Sequence, residues 1–269
     1  MANETPLILV TNDDGIHSHG LRAAARAAMS LGQALVVAPC EQWSGAGRSF
    51  PRDSTGAIGT HRLTVGQETI DAFCVDASPA QVVLHALLKL APRRPDLIVV
   101  GINYGENLGA DITISGTVGA ALQGATFHIP ALAVSLQTPK ETHANPSDDV
   151  DFSTAIHFTR YFSQRLLAAR LPFDADVLKI DVPCDATPET PWRLTRVSRQ
   201  TYYYAVLPHH QAGPMDYRPR DDTDALEHDS DIYAFVVDRV VSVSPLSIDL
   251  TTRADPEEVA QVLQHAPAT

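Results

Sequence analysis

Asp13 and Asp14 put two carboxylates side by side in the turn Asn12-Asp13-Asp14-Gly15. Like charges that close repel unless a cation neutralises them, and hard carboxylate oxygens suit Mg2+, Mn2+ or Ca2+. The same residues also make an Asx-type turn whose aspartates cap the next helix. A second segment, Ser115-Gly116-Thr117, opens a run of small residues. A helix starting there turns unpaired N–H groups, hydroxyls and a positive dipole end toward an anion, or is merely capped by Ser115. A third, Gly101-Ile102-Asn103-Tyr104-Gly105-Glu106-Asn107-Leu108-Gly109, interleaves Asn103 and Asn107 with glycines. Their amides can reach a metal or phosphate, or serve as turn formers. His17 and His19 beside the acidic turn read as exposed turn residues or as a general acid and substrate contact. Tyr202-Tyr203-Tyr204 reads as packing before it reads as a base-stacking platform.

These segments need elements to bring them together. Leu7 to Thr11 is a short apolar run closed by the acidic turn, and Gly20 to Leu31 carries apolar residues at helical spacing. Ala34 to Cys40 is a second continuous apolar run, as in parallel strands covered on both faces. The stretch from Glu41 to Thr60, containing Ser44 to Gly47, has no periodicity and reads as a long loop. Glu68 to Val75 reads as a strand, and Ser78-Pro79 as the N-cap and first residue of a helix stopped by Pro92 and Pro95. Strands follow at Asp96 to Gly101, Pro130 to Leu136 and Val177 to Val182, with helices at Ser115 to Phe127 and Asp151 to Arg170. This alternation predicts an α/β fold with a doubly wound, mostly parallel, Rossmann-like sheet. In such sheets ligands bind outside the carboxyl ends of the strands, where the three polar segments and Ser44 to Gly47 all fall. Residues 1–185 form the expected core. Residues 186–269 are expected to add an extension within the same compact unit: a hairpin arm built on Ile232 to Val237 and Val240 to Val243, and a closing helix from Asp255 to His265.

Composition narrows the function. The net charge is −12 with scattered basic residues, so no electropositive stripe is present to neutralise a nucleic-acid backbone. An anionic substrate still fits if a bound cation sets the local field. Cys40, Cys74 and Cys184 match neither a complete disulfide set nor a Cys-x-x-Cys site, which places Cys40 and Cys74 as small core residues in a reducing cytoplasm. No signal-like segment opens the chain, and no run approaches the ~18 apolar residues of a membrane span. Gly-Lys-Ser/Thr, Gly-x-Gly-x-x-Gly after the first strand and Gly-x-Ser-x-Gly are all missing, which argues against a Walker loop, a dinucleotide site and a nucleophile elbow.

Taken together, Leu9-Val10-Thr11-Asn12-Asp13-Asp14-Gly15, Val37-Ala38-Pro39 leading to Ser44-Gly45, Gly101 to Gly109, and Ser115-Gly116-Thr117-Val118-Gly119-Ala120-Ala121 resemble the SurE family of 5'(3')-nucleotidases. The resemblance runs from about Leu7 to Leu136 and resumes at Val177 to Pro183 and Val241 to Leu246. It implies one divalent ion per subunit, Mg2+ or Mn2+ with Ca2+ as a further candidate, held by Asp13, Asp14, Ser44 and Asn103. It also implies phosphate at Ser115, Gly116 and Thr117, with Asn12 and Asn107 as further contacts. Asp13, Asp14 and Asn12 become the candidate catalytic residues. The implied substrate is a nucleoside monophosphate, with short polyphosphate as a side activity, in a homodimer or homotetramer with exchanged arms. The chain departs from the family pattern at Ile114, Gln123 and Ser78-Pro79-Ala80-Gln81, and in the loop holding Arg48 and Arg52, which could contact extra phosphates. A non-catalytic nucleotide or divalent-ion binding module is the alternative reading, and an NAD-linked oxidoreductase a weaker one.

Overall fold

The computed structural model describes residues 4–144, 147, 149–206 and 216–264. A sheet of nine strands runs in the order β3-β4-β2-β1-β5-β6-β7-β11-β8. Its centre is β1 (Leu7–Thr11), flanked in parallel by β2 (Gln33–Pro39) and β5 (Leu97–Tyr104). Beyond these, β4 (Glu68–Val75), β6 (Ala131–Leu136) and β7 (Val177–Val182) continue the parallel set. The run Leu7 to Thr11 is buried at every position, which is why it reads as an unbroken apolar strand rather than an alternating one.

Helices cover both faces. On one side α1 (His19–Met29) and α5 (Ser153–Ala168) pack with β1, β5 and β6 in a core that includes Ile8, Leu21, Leu97, Phe158 and Phe162. On the other, α2 (Pro79–His85) and α3 (Gly116–Ala125) pack over Leu9, Val83, Ile98 and Val118. Ser78 forms a capping box with Gln81 at the start of α2, as its Ser-Pro pair predicts.

Three expectations need correction. The segment read as a loop to Thr60 contains the first part of β3 (Ile58–Val65), which pairs antiparallel with β4 through a hairpin at Gly66 and Gln67. Only Leu63 and Val65 of this strand are buried, so the edge strand lacks the apolar run that betrays its neighbours. The run Ile232 to Val237 is not one arm of a hairpin with Val240 to Val243. It folds as α6 (Asp231–Val236), capped by Ser230, and β11 (Val241–Leu246) joins the main sheet antiparallel to β7 and parallel to β8 (Trp192–Leu194). The ribbon of this half is instead β9 (Tyr203–Val206) against β10 (Asp216–Pro219). Cys40 and Cys74 are not unpaired core residues: they form a disulfide with Cα atoms 4.8 Å apart. Parallel pairing of β2 with β4 sets Pro39 beside Val75, which brings together cysteines that lie 34 residues apart in sequence.

The remaining α-helices among the described residues are α4 (Glu141–Ala144) and α7 (Pro256–Gln264), with a π-helical turn at Ala86–Leu90 and a 3-10 turn at Ala110–Ile114. Among the described residues no helix is long and apolar enough to cross a membrane.

Candidate active site

From β1 the chain moves outward to β2, whereas β5 flanks β1 on the opposite side. The carboxyl ends of β1 and β5 thus border the switch point at which doubly wound sheets open a crevice. The acidic turn follows β1, Asn103 ends β5, the loop after β2 folds across, and the start of α3 closes one side. A cavity of about 440 Å³ opens there, and Asp13, Asp14, Ser44, Asn103, Asn107 and Ser115 all line it.

Asp13 is only 6% exposed. The Thr117 hydroxyl donates to its Oδ1 at 2.5 Å, and the backbone N–H groups of Gly116 and Thr117 donate to the same carboxylate. Burial raises its pKa and these donors oppose the rise. Glycine is required at 116, because a Cβ there would sit 2.7 Å from the Cβ of Asp13. The pKa of Asp14 is pushed well above the ordinary value, first by burial and then by the charge of Asp13. The N–H of Tyr104 at 3.5 Å and the Gln42 amide at 3.2 Å resist that shift. Adjacent carboxylates, one buried and one half-buried, with raised pKa values are short of positive charge, which a divalent cation supplies.

Two neutral groups gather the oxygens that such a cation needs. The hydroxyl of Thr117 lies 2.5 Å from Asp13 Oδ1 and 3.2 Å from Asn103 Oδ1. Gln42 Nε2 lies 3.2 Å from Asp14 Oδ1 and 3.0 Å from Ser44 Oγ. The amide nitrogen of Asn103 is engaged by the carbonyls of Tyr104 and Gly105, which fixes its oxygen toward Thr117. An all-oxygen set of this kind fits Mg2+, Mn2+ or Ca2+. No cluster of three or more His, Cys, Asp or Glu side chains able to hold a metal occurs among the described residues, so a cation here would have to draw on neutral oxygens such as those of Ser44 and Asn103.

Other candidates sit elsewhere. Asn12 is fully buried and outside the cavity lining, donating to the Gly15 carbonyl at 3.1 Å. Its Oδ1 finds no partner among the described residues. Ser115 caps α3 by accepting from Val118 N–H at 3.1 Å. The helix end thus spends part of its donor capacity on Asp13 and on its own cap. Arg48 is exposed and donates to Gln123 at 2.8 Å, Arg52 is exposed, and neither lines the cavity. His17 is exposed against His61, and among the described residues the histidine that lines the cavity is His143.

A buried ion cluster fixes the loop that carries Asn107. Fully buried Lys179 pairs with Asp181 at 2.5 Å and Asp231 at 3.1 Å, and donates to the Asn107 carbonyl at 2.8 Å. The two aspartates in turn accept from the N–H groups of Asn107 and Gly109. Backbone and charges satisfy one another here, as buried ions require. Burial raises the Asp181 pKa to about 6 against the pull of Lys179.

Sequence reasoning missed Gln42, His143, Glu106 and this cluster. Gln42 stands two residues before Ser44 and carries no signal beyond that proximity. His143 is brought in by α4, its ring stacked 6.1 Å from Tyr217 and bonded to that hydroxyl at 2.8 Å. Burial pushes its pKa below the ordinary value. Lys179 and Asp181 alternate with Ile180 within β7, and the apolar reading of that strand hid them.

The family profile described as Survival protein SurE matches residues 8–204. A protein named 5'-nucleotidase SurE from Thermococcus kodakarensis is 38% identical over 95% of this chain and 98% of its own length. Its namesake from Thermococcus gammatolerans is 39% identical over 95% of each. The crystal structure of the SurE protein from Aquifex aeolicus superposes with a TM-score of 0.73 at 27% identity, covering 96% of this chain and all of that one. With a family match across most of its length, near-full-length relatives and the same fold, the chain belongs to the SurE family.

Proposed function

We propose that the chain is a divalent-metal-dependent phosphomonoesterase that converts nucleoside monophosphates to nucleoside and phosphate, a 5'-nucleotidase reaction. One observation carries the reading: two mutually repelling carboxylates, Asp13 buried and Asp14 half-buried, share a cavity with the oxygens of Ser44 and Asn103, each pair gathered by a neutral donor. The names of the Thermococcus relatives support the substrate class.

Asp13, Asp14, Ser44 and Asn103 hold one ion, Mg2+ or Mn2+. When bound, it supplies Lewis acidity toward the phosphoryl oxygens and lowers the pKa of a bound water. The amides of Gly116 and Thr117 and the Thr117 hydroxyl oppose the rise that burial imposes on the Asp13 pKa. Asp13 or Asp14, both on the cavity wall, would take the proton of the attacking water. Ser115 and Asn107 on the cavity wall orient the phosphoryl group, and Asn12 holds the acidic turn in shape. A homodimer or homotetramer is part of the same reading: α7 leaves Val262 and Leu263 exposed, with no buried residue of its own.

The test is release of inorganic phosphate from nucleoside 5'-monophosphates with Mg2+ or Mn2+, with and without chelator. Metal-dependent release is expected. The double variant Asp13→Asn, Asp14→Asn should lose on the order of a thousandfold or more in kcat/KM, since it removes the charge that holds the ion. Full activity of that variant would rule out the site, and nucleotide binding without phosphate release would favour a binding module.

A further inference from the structure

Beyond the cluster that holds the phosphoryl end, the same cavity is walled by Glu106, Tyr203 and Tyr217. Glu106 is 5% exposed. The Tyr202 hydroxyl donates to its carboxylate, yet Glu106 Oε2 and the buried Tyr203 hydroxyl each find no partner among the described residues. The Tyr203 hydroxyl also approaches Glu106 closely enough to hold its carboxylate down as a donor would, but the two atoms are not aligned as partners. Buried polar atoms without partners are costly, and a native fold keeps them where something else satisfies them.

We propose that Glu106 and Tyr203 form a sugar-recognition subsite, in which a hydroxyl of the leaving nucleoside's ribose donates to the Glu106 carboxylate and accepts from the Tyr203 hydroxyl. This rests on the nucleotidase reading and deepens it. A hydroxyl is both donor and acceptor, so a single sugar hydroxyl can satisfy a carboxylate oxygen and a phenol together. A further phosphate is disfavoured: Asp111 also lines this end, Asp216 is already paired with Lys140, and among the described residues no Lys or Arg lines the cavity. The cavity volume of about 440 Å³ lies within the range of small-molecule sites. The carboxylate reaches the sugar by turning about its soft terminal torsion. The rings of Tyr203 and Tyr217, 5.0 Å apart and edge to face, supply an apolar wall beside it.

The experiment compares kcat/KM for adenosine 5'-monophosphate, its 2',3'-dideoxy analogue and p-nitrophenyl phosphate in the wild type, Glu106→Ala and Tyr203→Phe. The wild type should prefer the ribonucleotide over the dideoxy analogue by about tenfold or more, the scale of lost hydrogen bonding to a charged group. In both variants that preference should collapse toward unity. Tyr203→Phe deletes one oxygen and decides the matter even if Glu106→Ala does not fold. Hydrolysis of all three substrates without preference in the wild type, or a preference that survives Tyr203→Phe, overturns the subsite and leaves the hydrolase reading standing. Failure to release phosphate from any of the three removes both.

Discussion

Replacing Thr117 by Val tests how the site keeps a buried carboxylate ready for a cation. The substitution exchanges a hydroxyl for a methyl of similar size and keeps a β-branched residue at the start of α3. It removes the 2.5 Å bond to Asp13 Oδ1 and the 3.2 Å contact to Asn103 Oδ1 together. A hydrogen bond to a charged group contributes about 1.5–3 kcal/mol. Burial already raises the Asp13 pKa, and the Thr117 hydroxyl is the largest cause opposing it. Its loss moves the pKa further up, so protons compete with the cation at higher pH. The metal concentration for half-maximal activity at neutral pH should rise about 10- to 100-fold, and the acid limb of the rate profile should shift to higher pH. Phosphate release titrated with Mn2+ at several pH values measures both. An unchanged half-saturation with a lower kcat at saturating metal would show that Thr117 acts on the phosphoryl group itself, and the reasoning would fail.

Four other outcomes follow from the same structure. Lys179→Met leaves Asp181 and Asp231 buried without their cation and should destabilise the fold by about 3–5 kcal/mol in denaturant melts; a loss below about 1 kcal/mol would contradict the ion cluster. Asp181, raised to about 6, holds a proton in the native state that the unfolded chain releases near pH ~4. Its contribution to stability therefore falls as pH rises through that window, and Asp181→Asn should remove this part of the slope of Tm against pH. Reduction of the Cys40–Cys74 bridge, which closes a separation of 34 residues, should cost about 4 kcal/mol of stability on the chain-entropy account, read as a shift in urea midpoint with reductant. Inorganic tripolyphosphate should be turned over at no more than about a tenth of the kcat/KM of a nucleoside monophosphate, because an acidic wall repels added charge; parity would place a cationic contact outside this cavity.

The parallel half of the fold was legible because its strands are buried on both faces and so read as unbroken apolar runs. β6 and β7 are buried throughout and fall on or within the residues expected of them, and Ser78-Pro79 marks the start of α2 by its own chemistry. The misread elements have separate causes. β3 exposes most of its length at the sheet edge. α6 is short, and its apolar run Ile232 to Val237 has no length from which to tell a helix from a strand. Its identity comes from tertiary context: Ser230 caps it, and Ile232 and Phe235 pack with Leu108 and Tyr202 in a separate small core. The disulfide was hidden because strand order, not spacing, makes Cys40 and Cys74 neighbours.

At the site, residue types exposed the oxygens but not their support. A helix N-terminus is an anion site, and sequence alone pointed that anion outward, to phosphate. In the structure the first anion served is Asp13, held by the amides of Gly116 and Thr117. Asp14 is likewise supported by neutral donors, from Tyr104 and Gln42. Lys or Arg in these places would neutralise the carboxylates more strongly, but would compete with a divalent ion for the same oxygens. Amides and hydroxyls lower the repulsion while leaving the pair's charge to be completed by a cation. That choice fits a cavity lined by carboxylates and, among the described residues, free of Lys and Arg. On the proposed reading it also allows a chain of net charge −12 to bind a phosphate ester: a divalent ion on these oxygens would set the field that the substrate meets, over distances shorter than the ~8 Å at which salt screens the rest of the surface.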